Sequence, residues 1–161
     1  MASDFFIKLD GIDGESYDKA HSKWIEVIDF QHGSMQNVAT GRVSDVAGRG
    51  QFKPFAFTHL VDKATPKLQQ YCMSGQKIAK ANFAVCRAIG GSQVPVYEVT
   101  LENVKVLSAT IEGKETDTGS VLPVEHVELV AGKLTWKVTP IKPDNTKDGA
   151  VEANFNQVEN A

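Results

Sequence analysis

Apolar and polar residues alternate along most of this chain in short runs, the pattern of strands with one buried face. Residues 24–30 (Trp-Ile-Glu-Val-Ile-Asp-Phe) concentrate β-branched and aromatic side chains and predict a strand. A second strand is predicted over 52–60, where Phe52, Phe55 and Phe57 surround Pro54; a proline there marks an edge or a bulge, because it has no N–H to donate to a ladder. From 78 to 88, Ala79, Ala81, Phe83 and Val85 share one face and Lys80, Asn82, Ala84 and Cys86 the other, as in a strand covered on both sides. Over 94–111, Tyr97, Val99 and Leu101 lie opposite Glu98, Thr100 and Glu102, but Val104 and Val106 fall out of phase. The break predicts a bulge near Glu102-Asn103 that re-aims the second half, as happens where sheets curve into barrels. Residues 133–139 put Leu134, Trp136 and Val138 inward and Lys133, Thr135 and Lys137 outward, ending at Pro140.

One helix is signalled, at about 66–74. Thr65 stands where a cap belongs, Pro66 suits the first turn, Leu68, Tyr71 and Cys72 follow at helical spacing, and Gly75 can end it. Nine residues are too few for an independent helix, so it must pack on the sheet at one opening or flank. Seven or eight strands with one short helix predict a mainly β fold, a compact barrel or sandwich with a flanking helix, the inferred bulge favouring the barrel. Residues 33–50 form a connection of 18 residues with four glycines and only scattered aliphatics, longer than compact domains ordinarily carry without a functional reason. A shorter stretch, 113–120, has the make-up of an exposed hairpin tip.

At 161 residues, 42% hydrophobic and 23% charged, the chain fits one globular domain over 1–161. Seventeen basic against twenty acidic residues give a net charge of −3, the wrong sign for phosphate-backbone binding, so nucleic acid is not expected as a partner. No apolar run approaches the roughly 20 residues that cross a bilayer, and the first residues lack the charged and apolar regions of a secretory leader. Cys72 and Cys86 match no metal or disulfide framework and read as buried thiols.

The chemistry-bearing residues do not assemble into a known catalytic pattern. His21, His32, His59 and His126 stand at no metal-ligand spacing with one another, so no metal or other cofactor is expected, and His59 and His126 read as strand residues with solvated or hydrogen-bonded side chains. Ser16, His21 and Asp29 could be grouped as a triad, but no nucleophile-elbow context surrounds the serine. Residues 144–149 begin like a calcium loop yet carry Thr146 at the third position and would need Phe155 as the bidentate acid, so they read as a turn. Arg42 and Arg49 beside glycines are too few for an RGG tract. No catalytic residue is assigned, and domains of this kind usually work by association.

Several segments in order resemble one family. Phe6-Ile7-Lys8-Leu9, then Asp13-Gly14-Glu15-Ser16 and His21, are similar to the opening of the haemolysin-coregulated protein (Hcp) family of bacterial type VI secretion systems. Residues 57–68 resemble its strand-to-helix signature, here Asp62, Lys63, Ala64, Thr65 and Pro66, and 97–108 resemble its long valine-rich strand. The chain departs from the family in carrying Gln31-His32-Gly33-Ser34-Met35 where a glycine-richer run is common, and in lacking a Gly-Trp pair near its end.

The resemblance implies a non-enzymatic subunit whose six copies close into a ring, with rings stacking into a hollow tube. It implies assembly in the cytoplasm and export when the tube is fired, without a cleaved leader. The implied partners are further copies of the chain, with the spike, sheath and effector proteins of the machine. A ring follows from a head-to-tail contact whose rotation closes, and a tube from a second contact between ring faces. The long connection, through Val38, Gly41, Arg42, Val43, Val46, Gly48 and Arg49, is expected to reach between rings. Gln31, His32 and Ser34 are expected near the channel wall, where effectors would travel. A monomeric ligand-binding barrel or a small enzyme is the alternative, which subunit mass separates from the first.

Overall fold

The computed structural model describes residues 3–36, 49–113, 115–116, 119–120 and 123–161. Ten strands and one helix follow one another as β1 (Ser3–Leu9), β2 (Ile25–Val27), β3 (Asp29–Gln36), β4 (Gly50–Leu60), α1 (Thr65–Ser74), β5 (Ile78–Ile89), β6 (Ser92–Glu112), β7 (Glu115–Thr116), β8 (Gly119–Ser120), β9 (Val124–Val138) and β10 (Val151–Asn156). The main sheet has eight strands, all pairing antiparallel, in the order β2-β1-β5-β6-β9-β4-β3, with β10 also on β9. The mainly β fold with one short helix is as expected.

Among the described residues the sheet's hydrogen-bonded ladder does not close on itself. Its two outer strands, β2 and β3, are instead consecutive in the chain, separated only by Ile28. The strand expected over 24–30 is therefore broken: the Ile28 N–H donates to the Thr58 carbonyl at 2.7 Å, and the chain passes from one edge of the sheet to the other. Ile28 itself is half exposed.

The irregularities expected in the long strands are present, with their positions redistributed. On β4, Pro54 and Phe55 together oppose His32 of β3, so the proline sits at a bulge, although β4 has neighbours on both sides from Phe55 onward. On β6 the phase does break at Asn103, but by a left-handed residue (φ 54°) and not by an insertion. Glu102 and Val104 keep their register with both Lys80 and Ile78 of β5 and Lys133 and Ala131 of β9. Ile78 and Ala81 are both buried, as are Leu101 and Val104, so two neighbouring strands change phase in the same row. Across from Asn103 on β9 stands Gly132, where an added Cβ would lie 3.3 Å from that of Asn103. The extra residues on β6 lie elsewhere, at Val96 against β5 and at Leu107 against β9.

Residues 33–36, expected to open the long connection, belong to β3. Residues 113–120, expected as a hairpin tip, carry the small β7-β8 ladder. Strand β9 starts well before 133, at Val124, and ends at Val138; Leu134 is buried as expected and Trp136 packs against the core, but Val138 is 45% exposed.

Inside the sheet, Phe55, Phe57, Phe83, Ile7, Leu101 and Leu129 form a continuous apolar core. The aromatic members meet edge-on, Phe55 and Phe83 with centroids 5.0 Å apart. The helix buries Leu68 and lays Tyr71 and Cys72 against that core, and Gly75 ends it in the left-handed region (φ 67°). Its cap differs from expectation: Thr65 is its first residue, and the preceding Ala64 supplies no side-chain bond. Gly14 is needed for close approach, since a Cβ there would stand 2.4 Å from the Trp24 carbonyl oxygen.

Candidate assembly surfaces

The segment from β4 into α1 is held by side chains that turn back on their own backbone. The Asp62 N–H donates to Thr65 Oγ1 at 3.2 Å, and the Ala64 N–H to Asp62 Oδ1 at 2.9 Å, an arrangement that presets the first turn. The Lys63 N–H donates to Glu15 Oε2 at 2.9 Å, tying in the loop after β1, and Pro66 sits in the first turn. Asp62, Lys63, Thr65 and Pro66 thus stand together at one junction.

Beneath the junction lies an ion pair. His59 Nε2 donates to Glu125 Oε1 at 2.7 Å, both side chains fully buried, and Asp62 Oδ2 lies 3.6 Å from His59 Nδ1. Gln69 of α1 donates to Glu125 Oε2 at 2.8 Å and to the Ala109 carbonyl at 3.0 Å, linking helix, β9 and β6. Burial alone would push the imidazole down, but the hydrogen bond to Glu125 and the nearby carboxylates of Asp62 and Glu125 outweigh it and hold His59 at about 9. At neutral pH it is a buried imidazolium, a group that fastens the helix to the sheet. Of the two states expected for His59 in a strand, solvated or hydrogen-bonded, it has the second, but nothing local in the sequence points to Glu125, 66 residues away.

The three residues expected near a channel wall do not share a face. Gln31 is exposed, whereas His32 turns into the aromatic core, stacked on Phe55 (5.0 Å) and Tyr97 (5.8 Å), with Nε2 3.0 Å from Tyr97 Oη; burial lowers its pKa. Strand alternation puts Ser34, also exposed, on the His32 side and Gln31 on the other. Of the connection, Val38, Gly41, Arg42, Val43, Val46 and Gly48 lie outside the described residues. Arg49 donates through Nη2 to the carbonyls of Gln157 (3.3 Å) and Val158 (3.2 Å), and the Phe52 N–H donates to Gln157 Oε1 at 2.8 Å, so the C-terminal segment grips the base of β4.

The remaining candidates for chemistry stay separate or passive. Ser16 Oγ accepts the Asp18 N–H at 3.1 Å, and His21 Nδ1 pairs with Asp18 at 2.8 Å and not with Asp29. His21 Nε2 lies 3.8 Å from Cys86 Sγ, but the thiol is buried and pushed up to about 11, first by burial and then by nearby carboxylates, the opposite of an activated nucleophile. Asp144 accepts both the N–H and the hydroxyl of Thr146, as expected of a turn. Among the described residues no three His, Cys, Asp or Glu side chains are placed to hold a metal, and no helix is long and apolar enough to cross a membrane.

A family model described as "Type VI secretion system effector, Hcp" matches residues 6–138, from β1 to the last residue of β9. The chain belongs to the Hcp family. It is 34% identical over 150 residues to the protein hcp1 of Pseudomonas aeruginosa, covering 92% of this chain and 91% of that protein. A structure titled as a type six secretion system protein superposes with a TM-score of 0.90 at 26% identity, over 99% of both chains. Hcp1 from Salmonella typhimurium superposes with a TM-score of 0.81 at 25% identity, over 99% of this chain and 97% of that one. The Hcp model match takes in the whole junction from Asp62 to Pro66 and ends before β10, whereas the structural likeness runs through β10 as well.

Proposed function

We propose that this Hcp chain is a structural subunit whose copies close into six-membered rings, that the rings stack into a hollow tube, and that the tube is exported with effectors in its lumen. The observation that carries the reading is the match to the Hcp model over nearly the whole folded body, on a chain whose chemistry-bearing side chains are spent on holding the fold together. It assembles in the cytoplasm, leaves when the machine fires, and meets the spike, sheath and effector proteins there. No catalytic step is assigned to it.

The reading is tested by mass. Native mass spectrometry or light scattering on the purified chain should give about six subunits per particle, and a solitary chain at high concentration would overturn it. Deleting 38–48 should leave rings and abolish longer tubes in electron micrographs; unchanged tubes would remove the connection from the stacking contact. Because Gln31 and Ser34 occupy different faces, only one of Gln31→Glu and Ser34→Glu should lower co-purification of an effector without changing ring mass. Equal retention in both would take β3 away from the channel wall.

A further inference from the structure

The two ends of β4 carry opposite charge. At its Leu60 end opens a groove of about 600 Å³ bounded by the carboxylates of Asp4, Glu15, Asp18, Glu26 and Asp62, with no lysine or arginine in its wall. Its rim includes Ile28 and Leu60, which are 50% and 41% exposed. At the Gly50 end lies a second hollow of about 640 Å³, bounded by Arg49, Lys77 and Lys105 with no carboxylate in its wall. Val130 and Val158 are the exposed aliphatic residues there. Eleven residues of strand separate the two, about 30 Å at the usual rise.

Neither set of charges is used up within the chain. Glu15 accepts only a backbone N–H, Asp4 accepts from the Gln93 amide, and Asp18 and Asp62 face histidines and not lysine or arginine. Among the described residues Lys77 and Lys105 have no ion-pair partner, and Arg49 donates to neutral carbonyls. A contact between like ends would set five carboxylates against five, or three cations against three. Only a contact between unlike ends matches charge to charge and aliphatic rim to aliphatic rim.

We infer that the acidic groove at the Leu60 end receives the basic hollow at the Gly50 end of a second copy of this chain, a heterologous contact that gives the assembly a direction. It rests on the tube-subunit reading, since only a self-associating chain brings the two ends together.

Charge reversal tests it on the full-length chain. Glu15→Lys/Glu26→Lys at one end, and Lys77→Glu/Lys105→Glu at the other, change exposed side chains. Each pair alone should lower the mean particle mass by light scattering, through loss of rings or of stacked rings, at unchanged circular dichroism. All four changes in one chain should restore the native mass, a rescue that misfolding could not give. Native-sized particles from either single-end variant, or failure of the fourfold variant to recover, would overturn the contact while leaving the tube-subunit reading intact. A native chain that stays solitary would overturn both.

Discussion

Adjacent positions on β9 make a His–Glu pair on each side of the sheet, Glu125 with His59 of β4 and His126 with Glu112 of β6. Toward the core, His59 and Glu125 meet at 2.7 Å with neither side chain exposed. Toward solvent, one register step away, His126 meets Glu112 at 3.2 Å, with the two side chains 47% and 45% exposed, while its other nitrogen lies 2.9 Å from Thr58 Oγ1. The chemistry is shared and the surroundings are not. In water a pair of this kind competes with hydration and ions and contributes little; inside the sheet each partner exists only because the other is there. The inner pair fastens α1 beneath the Asp62–Pro66 junction, and the outer pair is a local tie on the surface.

Removing one inner partner should give the largest effect. Glu125→Ala leaves a buried imidazolium and takes from Gln69 one of its two acceptors, so stability should fall by about 3–5 kcal/mol in urea titration. A loss below about 1 kcal/mol would place the inner pair with the surface ones. His59→Leu/Glu125→Leu should cost less than either single change, because no charge is then left alone in the core.

The inner pair also sets a pH window. His59 titrates at about 9 in the fold against an ordinary value near 6.5, so the folded state holds the proton more tightly than the unfolded one. Its contribution is complete below pH 6.5 and is lost as pH rises through about 9; a difference of that size corresponds to about 3 kcal/mol. Melting temperature should therefore drop between pH 7 and 10, and the drop should flatten in the double leucine variant. An unchanged alkaline slope in that variant would assign it to other groups.

The unequal legibility of these features has a physical cause. Pro66 and Gly75 marked the helix because each acts on its own backbone dihedrals, and the phase break at Asn103 was visible because alternation is local. The break at Ile28 was invisible because it is imposed by Thr58, thirty residues on. Capping was assigned to Thr65 from its residue type, yet its hydroxyl accepts from Asp62 instead. His59 and Glu125 stood apart in the sequence as two ordinary strand residues, and only the pairing of β4 with β9 brings them together. The acidic groove likewise gathers Asp4, Glu15, Glu26 and Asp62 from four separate segments, so no charge run announced it.

Salt separates buried from exposed charge on a larger scale. Between about 0.01 M and about 1 M salt the screening length falls from about 30 Å to about 3 Å, which weakens contacts between exposed groups far more than the His59–Glu125 bond. Particle mass by light scattering should decline across that range while the melting temperature of the single chain changes little. Assembly that strengthens with salt would mean that apolar burial, not the unlike ends of β4, dominates the contact between copies.

The smallest effect is expected on the outer face. His126→Ala removes one partner of Glu112 and one neighbour of the Thr58 hydroxyl, at a side chain that is itself half in water. The cost should stay under about 1 kcal/mol and shrink further in salt, because an exposed pair gains little over its hydrated partners. If His126→Ala instead costs as much as Glu125→Ala, exposure does not govern these pairs. The Thr58–His126 bond would then be holding β4 to β9 at the point where Ile28 crosses between the sheet's edges, and the seam, not the buried pair, would be the weak point of the fold.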